Sequence, residues 1–558
     1  MTSALDDLAR DYFEANCAAE PVYASTDGVP GYDAELPDPS RAAARAQRDD
    51  LARLGGRLDG IDAEGLTGED RITRDMLARL IRDKRDALDD GITEVGVSAT
   101  TSGVFSEMVA CLPMANVSDP ERAEAYLTRL SGLGGYFDAL TRRHLDAKAD
   151  GRFPTALGVR QTIAQLDGYL TGPLGTDPFL RPDPTGAPDP AAWRARAAEI
   201  IESAVRPAIA RHRTALAEEL LPVGRGSGEV GVGNVPGGDV AYRNAARAHT
   251  TTDLSPEELH ETGLALVAGL REEFAERGGR ALGVDDTAEV LHRLREDPAL
   301  RFTAAAEIVE TVTVALRRAE EALPDWFRRY DIAPCVVREM DPAEAAGNVL
   351  GYYLAPAADG SRPGAHVVNT HRPDLRTRFE YEVLAFHESV PGHHLQFALS
   401  QSLGDLPEFR RFAYVTAHSE GWGLYSERLT EEMGLYTSEL SRLGMVSFDA
   451  WRACRLVVDT GMHHYGWSRE RALAYMRDNT ALSEANITNE IDRYIAWPGQ
   501  ALAYMVGRLS IRRARERAEA AMGAGFDLRE FHHRVLSHGS VPLDILDGVI
   551  DRWSSGRE

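Results

Sequence analysis

The chain has 558 residues, with 62 basic and 87 acidic side chains and a formal charge of −25, so general electrostatics would repel nucleic acid rather than gather it. Hydrophobic residues at 43% and charged residues at 27% suit a globular protein with an extensive core and argue against long disorder. Only Lys84 and Lys148 are lysines, a bias that reads as composition rather than function.

The amino-terminal stretch MTSALDDLARDYFEANC carries acids where a secretion signal would carry positive charge, so a cytoplasmic location is expected. No apolar run of about 18 residues occurs, which excludes a membrane-spanning helix and any membrane partner built on one. Cys17, Cys111, Cys335 and Cys454 are widely spaced and form no CxxC pair, which argues against a disulfide framework and a thiolate zinc site.

In chain order, residues 1–150 read as successive amphipathic helices, for example Arg71 to Leu88 with Ile72, Met76, Leu77, Leu80 and Ile81 on one face. The five-proline stretch from Asp177 is a loop, followed by a helix from about Ala191 to Leu221. The Gly-rich run from Gly224 lacks the spacing of a nucleotide-binding loop and is expected to be mobile or substrate-facing. Ser255, Pro256 and Glu258 then form a helix-start signature. Val349 to Leu354 and Ala365 to Asn369 are short β-type runs separated by Ala358, Asp359, Gly360 and Pro363, predicting a hairpin over 349–369. Helical periodicity resumes after Arg376. The fold class expected is mainly α: a large, two-lobed helical molecule with a deep cleft and one small sheet beside the chemistry. Residues 1–330 would wall the cleft. Residues 331–558 would form the catalytic lobe, with helices of a metal site over 376–430, although the two could equally be one inseparable unit.

That chemistry lies in FHESVPGHH, where His387, Glu388, His393 and His394 fall within eight residues. In the zinc motif H-E-x-x-H, two histidines one turn apart ligate an ion while the Glu activates a water. Here the fifth position is Pro391. A straight helix would separate His387 and His394 by about 10.5 Å along its axis, too far for two nitrogens each about 2.0 Å from one zinc. A bulge at Pro391-Gly392 absorbing two residues would put His393 in the place of the second histidine, with His394 the runner-up. A third ligand is needed, and Glu420 in the segment AYVTAHSEGWGLYSERL is the candidate, ahead of Glu427.

The segments H-E-S-V-P-G-H-H-L-Q, E-G-W-G-L-Y-S-E, D-T-G-M-H and R-Y-I-A-W-P-G-Q-A-L-A-Y resemble the bacterial DUF885 family of predicted zinc peptidases, whose layout is similar to that of the helical gluzincins. The resemblance implies Zn2+ held by His387, His393 and Glu420, with Glu388 as general base. Met505 departs from the family pattern, which carries Lys after the motif tyrosine, a role Arg508 could assume. His463, Tyr494 and Tyr504 are candidates for stabilising an oxyanion. Arg493, with Gln500 of the same segment or with Arg508, is a candidate for binding a substrate carboxylate. The function expected is a zinc-dependent exopeptidase on short peptides, of carboxypeptidase or dipeptidase type. An aminopeptidase, or an amidase acting on a small amide, is the nearest alternative. A non-haem iron enzyme shares the two-His, one-carboxylate set, and a metal-free interaction protein would leave Glu388 and Glu420 unexplained. The sequence does not specify an oligomeric state.

Overall fold

A computed structural model describes residues 3–341, 345, 349–356 and 362–557. The local signals in the sequence act where they stand. Ser3, Ser40, Asp119, Ser255, Ser438, Ser468 and Ser483 each cap a helix by accepting a backbone N–H. At Ser255 the capping box is complete, since Glu258 reaches back to the cap nitrogen. The amphipathic stretch around Arg71 lies inside the helix Gly68–Asp90, whose Ile72, Met76, Leu77 and Ile81 are buried. The segment after the proline-rich loop is helical from Pro190 to Leu220, with π-type turns at Ile201–Val205 and Leu216–Leu220.

Nine helices are used below: α1 (Pro120–Ala149), α2 (Pro256–Leu282), α3 (Ala305–Trp326), α4 (Glu380–Glu388), α5 (His393–Gln401), α6 (Thr416–Glu432), α7 (Glu439–His463), α8 (Glu484–Ala496) and α9 (Ala503–Met522). The chain is mainly α, with one small sheet among the described residues.

The apolar cores divide the chain differently from a cut at residue 330. One core runs through the first helices, resumes at Val230 and continues to Ile550. Leu5, Met76, Phe274, Phe386 and Trp422 therefore belong to one packed body. A second core holds Val22 and residues from Val97 to Leu220, including Tyr126 and Phe137 of α1. The helices upstream of the metal motif are thus split between its own core and a separate one.

The sheet has three strands in the order β1 (Cys335–Glu339), β3 (Gly364–Val368), β2 (Gly351–Leu354). The expected hairpin exists: β2 pairs antiparallel with β3, from Gly351 opposite Val368 to Leu354 opposite Ala365. Its turn residues Ala358, Asp359 and Gly360 lie outside the described residues. Strand β1 pairs parallel with β3 and was not anticipated. β3 is buried at every position, as a central strand should be. β2 packs on α4 and β3 on α5, so the sheet backs the metal-motif helices.

The Gly-rich run is anchored where a mobile or substrate-facing loop was expected. Val230, Val232 and Val235 are buried, and the Val232 N–H donates to His463 Nδ1 at the end of α7, at 3.0 Å.

Candidate metal centre

The helical pattern breaks in the middle of the motif. α4 ends at Glu388 and α5 begins at His393, and between them Ser389 to Gly392 leave helical geometry, with a cis bond at Val390-Pro391. The break replaces the expected bulge. Gly392 is required by close approach, because a Cβ there would lie 1.9 Å from the His387 carbonyl oxygen. The His394 N–H bridges the gap to the Ser389 carbonyl at 3.0 Å. From α6, Trp422 donates its indole N–H to the Pro391 carbonyl at 2.8 Å. Trp422 is fully buried, so the joint is pinned from outside as well as within.

The break turns the two helices so that the rings of His387 and His393 meet at 81° with centroids 4.6 Å apart. Donor atoms of His387, Glu388 and His393 all lie within 4.8 Å of one another. Glu420 reaches the same point from α6. Its Oε2 is 3.4 Å from His387 Nε2 and 3.6 Å from His393 Nε2. Both separations are long for a hydrogen bond, which prefers about 2.7–3.2 Å. They match the spacing of donors around a tetrahedral zinc, where bonds of about 2.0–2.1 Å place ligands about 3.3–3.4 Å apart. The three residues fit a zinc ion.

Neighbours fix each of them. His387 Nδ1–H donates to Glu427 Oε1 at 2.8 Å, leaving Nε2 for the site. Glu427, weighed from sequence as a lesser ligand, is instead a fully buried orienting carboxylate. This arrangement of carboxylate, histidine and metal position recurs where a ring must be held in one tautomer. The Tyr414 hydroxyl donates to Glu420 Oε1 at 2.8 Å, freeing Oε2. Burial alone would lower the His387 pKa, but Glu420 and Glu427 outweigh it and raise it to about 10. Glu420 resists its own burial through His387 and His393 and stays well below the usual carboxylate range. These groups are organised around positive charge.

His394 is spent elsewhere: Nε2–H donates to the Ala333 carbonyl at 2.7 Å and Nδ1 accepts from the Tyr353 hydroxyl at 3.1 Å. The register therefore favours His393. Its Nε2 faces Glu420, while its Nδ1 is buried without a partner among the described residues. Glu388 is partly exposed beside both rings. Enclosure raises its pKa against the pull of His387 and His393, which suits a carboxylate that must accept a proton near neutral pH.

The outer candidates separate into free and occupied groups. Both nitrogens of His463 are committed to backbone: Nδ1 accepts from Val232 and Nε2–H donates to the Tyr494 carbonyl at 3.0 Å. His463 is therefore a buried tie and not an oxyanion donor. The Tyr494 hydroxyl donates to Glu490 and accepts from Arg455 Nε at 2.7 Å, which takes it out of the same role. Tyr504 is partly exposed. Burial and then the charge of Glu420 raise its hydroxyl pKa, against a hydrogen bond from Gln500, so of the three it is the one within electrostatic reach of Glu420. Arg493 holds Gln500 Oε1 at 2.8 Å and Glu490 Oε2 at 3.1 Å. Arg508 is paired with Asp449 and buried, so it does not stand in for the family's lysine at Met505. Sequence reasoning passed over Tyr414, Tyr353 and Arg452, whose positions depend on neighbours distant in the chain.

The family model described as "Bacterial protein of unknown function (DUF885)" matches residues 21–550. The chain belongs to this family. No curated protein matches the sequence. A solved protein from Colwellia psychrerythraea, described as a candidate lipoprotein, shares 26% identity with a TM-score of 0.92 over 100% of both chains. Another from Shewanella oneidensis, described as a candidate lipoprotein of unknown function, shares 18% identity with a TM-score of 0.78, covering 98% of this chain and 100% of the other. The fold shared with the Colwellia protein thus extends over the whole chain. Among the described residues, no helix is long and apolar enough to cross a membrane.

Proposed function

We propose that the protein is a zinc-dependent metallopeptidase that hydrolyses short peptides, an exopeptidase of the carboxypeptidase or dipeptidase type. The observation that carries this reading is the Glu420 oxygen held 3.4 and 3.6 Å from the Nε2 atoms of His387 and His393, with Glu388 alongside. A zinc held by these three residues supplies a Lewis acid that polarises a peptide carbonyl and acidifies a water.

The remaining work belongs to the chain. Glu388 takes a proton from the attacking water, whose oxygen bonds to the carbonyl carbon, and delivers that proton to the amine as the C–N bond breaks. Glu427 keeps the His387 ring turned inward, and Tyr414 keeps Glu420 turned inward. The Tyr504 hydroxyl donates to the oxyanion. The edge strand β2 stands beside α4 and supports an extended peptide by strand addition.

The test is metal analysis of the purified chain, followed by a library of short peptides with free and blocked termini. About one zinc per chain and hydrolysis abolished by a chelator are expected. Glu388→Gln should retain zinc and lose about 10²- to 10⁴-fold in kcat. Bound iron instead, or undiminished turnover by Glu388→Gln, overturns the reading. A strict need for a free amino terminus would select the aminopeptidase alternative.

A further inference from the structure

Helix α7 brings Phe448, Trp451, Arg452 and Arg455 to one side of the metal centre, packed against both α4 and α6. Arg452 is 5% exposed. Its guanidinium carbon stacks 4.3 Å from the Phe448 ring centroid and 4.1 Å from that of Trp451. Its Nε and Nη1 are buried and have no hydrogen-bond partner among the described residues.

Each neighbouring arginine has at least one polar partner, although Arg455 Nη1 is also buried without one among the described residues. Arg455 donates to the Tyr494 hydroxyl and to Glu490, Arg493 to Glu490 and Gln500, Arg508 to Asp449. Arg452 alone among these four makes no hydrogen bond to a described residue, and its direct contacts are aromatic faces. Burial lowers its pKa, while the charges of Glu427 and Glu420 oppose that. In turn, its own charge acts on Glu388. It thus stands within electrostatic reach of the general base and the ligand carboxylate. Glu427 is the acid that most favours its charge; its Oε1 is taken by His387, its Oε2 is buried without a partner among the described residues, and no hydrogen bond joins it to Arg452. Aromatic stacking returns only part of what burying an unpaired cation costs.

We propose that Arg452 receives a carboxylate of the substrate, taking through its buried nitrogens the bidentate contacts that no described residue supplies. This inference rests on the peptidase reading and deepens it: the favoured substrates are short peptides bearing a carboxylate near the scissile bond. A guanidinium fork matches that group in geometry and charge. A C-terminal carboxylate and an acidic side chain offer the same chemistry, and the test distinguishes them. The role expected of Arg493 or Arg508 passes to Arg452, because those two are already paired.

The experiment uses the full-length protein as purified with its metal. Three tripeptides are compared: a neutral one with a free carboxyl terminus, its C-terminal amide, and an amide carrying one glutamate. Binding is read by calorimetry on the Glu388→Gln chain, and hydrolysis by kcat/KM on the wild type. The wild type should prefer a carboxylate-bearing peptide over the neutral amide by at least about 30-fold. Arg452→Gln should collapse that preference to within about threefold, and Arg452→Lys should restore part of it, both with unchanged zinc content. Whichever carboxylate peptide shows the Arg452-dependent preference identifies the source. Equal losses on acid and amide peptides would overturn the proposal and leave Arg452 as an internal counter-charge to Glu427. So would the absence of any carboxylate preference in the wild type. If no peptide is hydrolysed but carboxylate-selective, Arg452-dependent binding persists, the peptidase reading fails and the carboxylate site stands.

Discussion

On the proposed reading, His387 shows how far the placement of a candidate metal ligand is decided by residues outside the metal position. Its ring is held by Glu427 on one nitrogen and walled by Gly423, where a Cβ would sit 2.6 Å from Cε1 and 2.9 Å from both ring nitrogens. Glu427→Gln keeps the shape but weakens the tie, and zinc affinity should fall by about 10- to 100-fold, read by competition with a chromogenic chelator. Gly423→Ala should push the imidazole out of line and lose zinc while the far-ultraviolet circular dichroism stays helical. Retention of full zinc by both variants would remove His387 from the ligand set. His387, Glu388, His393 and Glu420 were legible in the sequence because a dense run of donors with one distant acid has few other uses. His463, Tyr494, Arg493 and Arg508 looked equally suitable and proved to be occupied. A residue type announces what a side chain is able to do, and only the fold shows whether a neighbour has already claimed it. Arg452 makes the converse point, since one of three arginines on its helix carries no signal until its partners are counted.

At the scale of elements, the centre depends on two helices being very close. α6 and α9 cross where Gly421 faces Gly507: a Cβ on Gly507 would lie 1.8 Å from the Ala417 carbonyl oxygen and 2.7 Å from the Gly421 Cα. That contact sets the depth of Glu420 relative to α4 and α5. Gly507→Ala has backbone on the other side and nothing flexible to displace, so the helices must part. The expected cost is about 1–3 kcal/mol of stability, measured by urea unfolding, together with weakened zinc binding. A variant as stable as the wild type would show that the crossing tolerates more space than the distances allow. Helices with caps and apolar stripes were readable in the sequence, as was the hairpin of β2 and β3. β1 was missed because its partner among the described residues is β3, reached in parallel across a long separation in the chain. The helix break at Pro391-Gly392 was readable as an interruption, but its form was not, since the Trp422 tie that pins it comes from α6.

The whole molecule carries a pH dependence that is separable from its chemistry. His212, His366, His418, His463 and His532 are buried, and burial lowers their pKa values to about 3 or about 4. In the unfolded chain each titrates near about 6.5. Between those values the unfolded state binds more protons than the native state, so stability rises with pH across that window. The contribution of these five is fully present above about pH 6.5 and is lost as pH falls toward about 4. Asp27, Glu380 and Asp459 act in the opposite sense: burial raises the first to about 6 and the other two to about 7, so their native states hold protons that the unfolded chain has released, and they lose stability as pH rises toward 7. Five against three leaves the histidines dominant, and each net proton is worth about 1.4 kcal/mol per pH unit where it is fully exchanged. Urea midpoints measured at intervals from pH 7 to pH 4.5 should therefore fall steadily on acidification. His463→Gln can still donate to the Tyr494 carbonyl but cannot be protonated. It should start less stable, having lost the acceptor for Val232, and should fall less steeply by about one proton. An unchanged slope in that variant would mean that His463 keeps its proton-binding behaviour on unfolding. A flat wild-type profile would mean that the buried histidines admit water in the native state.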